Sequence, residues 1–252
     1  MKSAFILFYI FITSLMFSQN NETFVISYIE NYNIGSGFEW EHKLIVQDKN
    51  ALYVEQIDNE KPTQERVYRE DGSFSLTINP SNSNPSFVFF NNQQNSIFFR
   101  KRIGGEMVLV QDKVEPINWV ITDETKNIGS YTCIKAIGDF RGRTYHAWFT
   151  TEIPVNYGPW KLNGLPGLIV EAKDVQGFYH VIATSFKFND SIVHSQLLKG
   201  VDFNKSISFD SFLELDKKGT EMAFKQLQSS MPRGTTLKLS DTQPQKLEIF
   251  DE

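Results

Sequence analysis

The sequence holds a single cysteine, Cys133, among its 252 residues. One cysteine excludes an internal disulfide, a four-cysteine zinc site and a Cys-x-x-Cys redox centre. An excess of basic residues is also missing, because 25 lysines and arginines face 30 aspartates and glutamates, for a formal net charge of -5. A protein that neutralises phosphates needs a basic surface. We therefore expect neither a disulfide framework nor a nucleic-acid partner.

Catalytic motifs are missing as well. The sequence has no Gly-x-Ser-x-Gly elbow, no phosphate-binding Gly-x-x-x-x-Gly-Lys and no dinucleotide-binding Gly-x-Gly-x-x-Gly. Each of these spacings places a nucleophile or a run of backbone amides where its chemistry needs it. No pair of carboxylates stands out either. The sequence therefore indicates no reaction and no cofactor, and it favours a protein that is not an enzyme.

A long hydrophobic run occurs once, at the N-terminus. The segment Met1 to Ser18 carries a positive charge near its start, at Lys2. It is apolar from Ala4 to Phe17, apart from Thr13 and Ser14. A positive start, a short apolar stretch and a small final residue are typical of a secretory signal, whereas a membrane span needs about 20 apolar residues. We predict cleavage after Ser18, export to the periplasm or the outer membrane, and no span in the mature chain.

Phenylalanine is what the sequence has in excess, with 22 residues, of which four lie in the predicted signal. Aromatic side chains favour strands, because they cover a pleated surface well. Short alternating runs extend from Phe24 to Phe188, and Asp71-Gly72 and Gly104-Gly105 are typical of hairpin turns. We predict a mainly β fold of one domain over residues 19–252, an antiparallel sandwich or an open or half barrel.

The C-terminal region reads as a helix over about residues 210–231. Ser211 and Glu214 have the spacing of a capping box, and Pro232 would end the helix. An apolar face carries Phe212, Leu215, Ala223 and Leu227. We expect this face to pack on the sheet.

The most specific segments run from Trp119 to Ala136, from Phe140 to Pro154 and from Gly158 to Ile169. In this order they resemble the GLPGLI family of exported proteins of Gram-negative bacteria, named for the hexapeptide that stands here at Gly164 to Ile169. The resemblance implies an exported protein and carries over no catalytic residue. The chain departs from the family at its C-terminus, so no role of the tail is carried over.

The hexapeptide has the signature of a rigid corner. In Leu165-Pro166-Gly167-Leu168, proline presets φ at the second turn position and glycine accepts a positive φ at the third, which predicts a type II turn. One reading is a corner that locks the register of the sheet. The other is a stiff lip that holds Trp160 over a ligand cleft.

Two arginines precede this loop. Arg141 and Arg143 are two residues apart, so in an extended chain both point to one face and could clamp a carboxylate or a phosphate. They could equally pair with Asp139 or Glu152. The candidate ligand or partner surface comprises Arg141, Arg143, Trp160, Leu165, Pro166 and Gly167.

The four histidines are scattered, at His42, His146, His180 and His194. If the strands of His146 and His180 pair, both imidazoles and Glu152 could approach a metal, but the short ligand spacings of zinc sites do not occur. We therefore predict no metal site. Cys133 is expected to be a buried small hydrophobe.

Three functions remain open on these grounds. We favour a non-catalytic interaction or accessory module whose partner is an envelope or outer-membrane protein. The alternative is a barrel-like carrier whose aromatic rings line a cavity for an apolar ligand. A metal-dependent hydrolase is the third reading.

Overall fold

The computed structural model of the chain describes residues 22–32, 38–56, 64–68, 74–78, 84–103, 105–230 and 247–249, with only the backbone for 38, 64–68, 74–78, 223–224, 226–228 and 230. The predicted signal sequence and Pro232 lie outside these ranges. Export and a single domain over residues 19–252 therefore stay predictions.

Strands make up most of the described chain. They are β1 (Phe24–Tyr32), β2 (Phe38–Gln47), β3 (Asn50–Glu55), β4 (Gln64–Tyr68), β5 (Phe74–Ile78), β6 (Phe87–Asn91), β7 (Ser96–Ile103), β8 (Glu106–Lys113), β9 (Val120–Ile128), β10 (Tyr131–Phe140), β11 (Arg143–Thr150), β12 (Leu168–Asp174), β13 (Tyr179–Phe188) and β14 (Ile207–Ser208). The helices are α1 (His194–Leu197), a 3-10 turn at Phe203–Lys205, and α2 (Phe209–Ser230).

Twelve of these strands form one open sheet in the order β14-β8-β7-β6-β3-β2-β1-β13-β12-β11-β10-β9. All its neighbours are antiparallel except β14, which runs parallel to β8. Strands β4 and β5 pair separately. The prediction of a mainly β, antiparallel fold is confirmed, in its open form.

The strands that flank the predicted turns are paired, β4 with β5 and β7 with β8, whereas Asp71, Gly72 and Gly104 themselves lie outside the described residues. Between β10 and β11 the turn has two residues, because Phe140 pairs with Arg143. Arg141 and Gly142 both have positive φ there, at 51° and 76°. This is the backbone of a type I′ turn, whose twist matches that of the strands.

Both faces of the sheet are buried near its centre. On β3, Ala51 and Tyr53 belong to the larger core, and Leu52 and Val54 belong to a smaller one. Since neighbouring strand residues point to opposite faces, the larger core lies on one face, called here the inner face. The segment from Ile192 to Phe203 packs against the smaller core on the outer face.

Most described phenylalanines fill these two cores. Nine of them are under 9% exposed: Phe87, Phe89, Phe90, Phe98, Phe99, Phe140, Phe149, Phe178 and Phe212. Several rings contact one another edge to face, as Phe99 and Phe212 do at 5.0 Å between centroids. Among the described residues, most phenylalanines are therefore core material.

The predicted helix is confirmed to within one residue at each end, and it continues through Gly219. Its N-terminal cap is Ser208, whose Oγ accepts from the amide of Ser211 at 3.2 Å, so the predicted Ser211–Glu214 box is wrong. Phe212 is buried, whereas Leu215 is 41% exposed. The helix thus packs through its first turns, and the prediction that Leu215 packs is wrong. The side chains of Ala223 and Leu227 lie outside the described residues.

None of the helices within the described ranges is long and apolar enough to cross a membrane.

Candidate functional site

The loop of residues 151–167, between β11 and β12, lies on the inner face of the sheet. Its apolar side chains Ile153, Leu162 and Leu165 are at most 2% exposed and belong to the larger core. Its backbone is bonded internally, as in Gly164 N–H to the carbonyl of Asn156 at 2.9 Å. The loop is therefore an ordered part of the core.

Two contacts tie the loop to distant parts of the sheet. The hydroxyl of Tyr157 donates to the carbonyl of Lys49, in the turn between β2 and β3, at 2.6 Å. The indole N–H of Trp119 donates to the carbonyl of Asn163 at 2.8 Å. The loop thus spans the inner face from β12 to the β2–β3 turn.

Trp160 is buried within this loop. It adopts a φ of 53°, in the left-handed region, and its ring meets the ring of Phe140 edge to face at 5.5 Å. A positive φ costs energy in a residue with a side chain and persists only where packing enforces it. These contacts agree with the corner reading, in which Trp160 caps the core.

Gly167 differs from its prediction. It has no positive φ, so the predicted type II turn is wrong, and the positive φ belongs to Gly164 at 92°. Gly167 is required for space instead, because a Cβ there would lie 2.1 Å from the carbonyl oxygen of Thr150. Gly158 is similar, with Ile169 2.6 Å from its hypothetical Cβ. Pro166 is exposed between the buried Leu165 and Gly167.

The two arginines reach different carboxylates. The Nη1 of Arg143 donates to Asp174 at 2.8 Å and to Gln176 at 2.9 Å. The Nη2 of Arg141 donates to both oxygens of Asp112, at 3.0 and 3.1 Å. They diverge because Arg141 sits in the turn, where the alternation of an extended chain does not hold.

The predicted partners of these arginines have other contacts. Asp139 accepts from the hydroxyl of Thr144 at 2.6 Å, and Glu152 accepts from the amide of Thr132 at 2.9 Å. Both arginines thus form ion pairs, as one of the two predictions had it, but with Asp112 and Asp174 in place of Asp139 and Glu152. Whether the six candidate residues form a partner surface stays a prediction.

Lys161 is a buried cation that the sequence reading missed. Its ammonium donates to Asp112 at 2.8 Å and to Glu248 at 2.6 Å, and it lies 4.2 Å from the centroid of Phe99. The sequence feature that could have indicated this burial is the position of the lysine between Trp160 and Leu162 in an apolar stretch. A charge this deep needs the carboxylates, since an unpaired buried ion costs several kcal/mol.

Glu30 is the centre of a second buried polar group. Its Oε1 accepts from the hydroxyls of Tyr53 and Tyr179, at 2.6 and 2.7 Å, and its Oε2 accepts from Tyr32 at 3.0 Å. The Nδ1 of His42 is 3.5 Å from Oε2. Glu30 is 2% exposed. This group was also missed, although Glu30 and Tyr32 share a parity on β1.

Burial and the nearby Glu30 raise the pKa values of the hydroxyls of Tyr32, Tyr53 and Tyr179 well above the ordinary tyrosine value. These hydroxyls therefore stay protonated and act as donors to the carboxylate. The arrangement satisfies a buried acid through neutral donors.

The histidine pair of the metal hypothesis is split by β12. His146 pairs with Lys173, and Lys173 pairs with His180, so a lysine stands between the two imidazoles. His180 lies 3.0 Å from Glu171, and a hydrogen bond between them lowers the pKa of Glu171. In the part of the chain that the structure describes, no group of three or more histidines, cysteines or acids is placed to hold a metal.

Cys133 is fully buried, as predicted. Burial raises the pKa of its thiol to about 11. The thiol therefore stays protonated near neutral pH, which disfavours a nucleophilic role.

Comparison with protein families gives one match in the site region. Residues 140–171 match a family described as a protein of unknown function, Porph_ging. This stretch covers β11, the loop and the start of β12. The assignment to the GLPGLI family stays a prediction. No curated protein matches the chain.

The fold resembles two crystal structures of PNGF-II. For the C2 crystal form the TM-score is 0.55 with 19% identity, over 79% of this chain and 33% of the other. For the P21 form it is 0.54 with 18% identity, over 79% and 34%. The chain therefore spans about a third of the length of those proteins, and the likeness concerns the fold alone.

Replacing Gly167 by alanine tests the close approach of the loop to β11. We expect Gly167→Ala to lower the free energy of unfolding by about 3 kcal/mol or more, because a backbone carbonyl cannot move aside as a side chain can. Urea denaturation measures the change. The neighbouring Pro166→Ala, at an exposed position, should cost less than about 1 kcal/mol. Equal losses in the two variants would contradict the packing account.

Removing a tyrosine hydroxyl tests the Glu30 group. Tyr53→Phe should cost about 1.5–3 kcal/mol, since it removes a hydrogen bond to a charged acceptor, whereas bonds between neutral groups are worth about 1 kcal/mol. Tyr28→Phe is the matched control, because the hydroxyl of Tyr28 donates to the carbonyl of Ile169 at 2.7 Å. Urea denaturation compares both with the parent. A Tyr53→Phe loss no larger than that of Tyr28→Phe would show that Glu30 contributes nothing special.

The raised tyrosine pKa values also set the sign of the pH dependence. Above about pH 10 the tyrosines of the unfolded chain release protons and the buried ones do not, so stability falls as pH rises. In Tyr53→Phe, which lacks one of these buried hydroxyls, the free energy of unfolding should decrease less steeply above about pH 10.

Proposed function

We propose that the chain is an exported, non-catalytic accessory protein of the cell envelope, in the periplasm or at the outer membrane, and that it acts by contacting another envelope protein. The apolar stretch at Ala4 to Phe17 supports export. One observation carries the choice of a contact module over a carrier. The inner face of the sheet is filled by the chain's own loop.

A carrier keeps a chamber of about 300–1,000 Å³, lined mostly by apolar side chains, for its ligand. The position such a chamber would take on this sheet holds Leu162, Leu165 and Trp160. A surface cleft of about 280 Å³ lies elsewhere, beside β1, β2 and β13. Its lining is mainly polar, with Ser27, Glu41, Gln56, Thr184 and Ser185 among its residues. Such a cleft does not suit an apolar ligand, so the carrier reading loses support.

The partner contact that we propose lies at the exposed tip of the loop, at Pro166. Its buried neighbours Leu165 and Gly167 hold the tip in place, so little conformational freedom is lost when a partner binds there. Of the other residues of the candidate surface, Trp160 is buried within the loop, and Arg141 and Arg143 pair with Asp112 and Asp174, so Pro166 is the residue that we propose for the contact.

Site-specific crosslinking in the source cells tests this proposal. A photoreactive amino acid at position 166 should give one recurrent crosslinked envelope protein, identified by mass spectrometry. The same probe at Val175 is the control, since Val175 is 56% exposed and follows the other end of β12. The mature mass should correspond to a chain beginning at Gln19.

Three outcomes would count against the proposal. Unprocessed chain in the cytoplasm would refute export. Absence of crosslinks at both positions would refute a partner. Equal crosslinks at 166 and 175 would refute the loop tip as the contact.

A further inference from the structure

Three residues near the C-terminus, Leu247 to Ile249, dock on the turn between β10 and β11. The amide of Ile249 donates to the carbonyl of Arg141 at 2.9 Å, and Glu248 accepts from the ammonium of Lys161 at 2.6 Å. The hydroxyl of Tyr145 lies 3.5 Å from the carbonyl of Leu247, and the side chain of Leu247 packs against the larger core. The segment thus makes backbone, apolar and charged contacts within three residues.

The receiving surface is shaped for an extended segment. A Cβ on Gly142 would lie 2.5 Å from the carbonyl oxygen of Ile249, so the turn accepts the segment only because residue 142 is glycine. Lys161 is held between aromatic rings, with Phe99 at 4.2 Å and Phe209 at 4.9 Å. The ammonium therefore cannot swing out to solvent as a surface lysine does.

Two cations, Lys161 and Arg141, and two acids, Asp112 and Glu115, meet at this surface, and the tail adds a third acid that contacts Lys161 directly. Asp112 is shared between Lys161 and Arg141. The Oε2 of Glu115 lies 3.2 Å from the Nε of Arg141. Glu248 is the second carboxylate on Lys161, whose side chain is only 2% exposed. Since a buried ammonium is costly without full pairing, the site selects a segment that carries a carboxylate.

We propose that Lys161, Tyr145 and the Arg141–Gly142 turn form a binding site for an extended acidic peptide with a glutamate between two apolar residues. The chain's own Leu247-Glu248-Ile249 occupies this site as an internal ligand. A partner protein that offers the same pattern takes the site when the tail leaves.

The connection to the rest of the chain permits this exchange. Sixteen residues separate Ser230, the last residue of α2, from Leu247, and a chain of that length reaches about 55 Å at most. A connection of this length does not by itself tie the tail to the site. The proposal stands independently of export and of the contact at Pro166.

Binding of a labelled peptide to the full chain tests the site. The probe is a fluorescein-labelled peptide with the sequence of residues 243–252, and anisotropy measures its Kd. The Glu248→Gln chain, whose own tail is weakened as a competitor, should bind the probe at least tenfold more tightly than the parent chain does. In a second probe, glutamine replaces the glutamate that corresponds to Glu248. This probe should bind the Glu248→Gln chain at least tenfold more weakly than the first probe does.

The Lys161→Met exchange in the Glu248→Gln chain is the matched control. It should remove the discrimination between the two probes while the circular dichroism spectrum stays that of the parent. If this double variant does not fold, the comparison of the two probes on the Glu248→Gln chain decides alone. Equal affinities of the two probes, or equal affinity for parent and Glu248→Gln chains, would overturn the proposal. If light scattering shows that the parent chain forms dimers that exchange tails, the site binds a second copy of this chain, and the proposal of a different partner protein is overturned.

Discussion

The inner face of an open sheet has to be covered, and here the loop of residues 151–167 does most of this. An apolar sheet face is stable only against a second layer, which in other folds is a helix or another sheet. This loop can serve because its polar backbone groups are bonded, as in Leu168 N–H to the carbonyl of Ile153 at 3.1 Å. The close approach of Gly167 to Thr150 brings it down onto the strands.

The buried charges follow from that arrangement. Lys161 is carried into the core on the loop and meets Asp112 of β8, while Arg143 meets Asp174 at the end of β12. The Lys161–Asp112 pair joins the loop to β8, which is distant from β11 and β12 in the sheet order, whereas Arg143 and Asp174 lie on the neighbouring strands β11 and β12. Replacing a buried ion pair by apolar groups is often neutral for stability. We therefore interpret these pairs as selecting one placement of loop and hairpin, more than as a source of net stability.

The sequence predicted local structure well and distant contacts poorly. Alternation and turn residues indicated the strands, and a 3.6-residue pattern with Pro232 indicated α2, because both signals lie within a few neighbouring residues. The pairing of β1 with β13 has no such signal, since the strands are over 140 residues apart. The Glu30 group was missed for the same reason, as its tyrosines come from three strands. Gly167 was recognised as special for the wrong cause, because a glycine needed for space looks the same in sequence as one needed for positive φ.

The central claim is that the loop between β11 and β12 is core, and amide hydrogen exchange tests it most directly. The amides of Leu162, Gly164, Leu168 and Ile169 donate hydrogen bonds to loop carbonyls. Their amide protons should exchange as slowly as those of the central strands, because exchange would require global unfolding. Exchange within seconds at these amides, with the strands still protected, would show a surface loop that opens independently and would contradict the account.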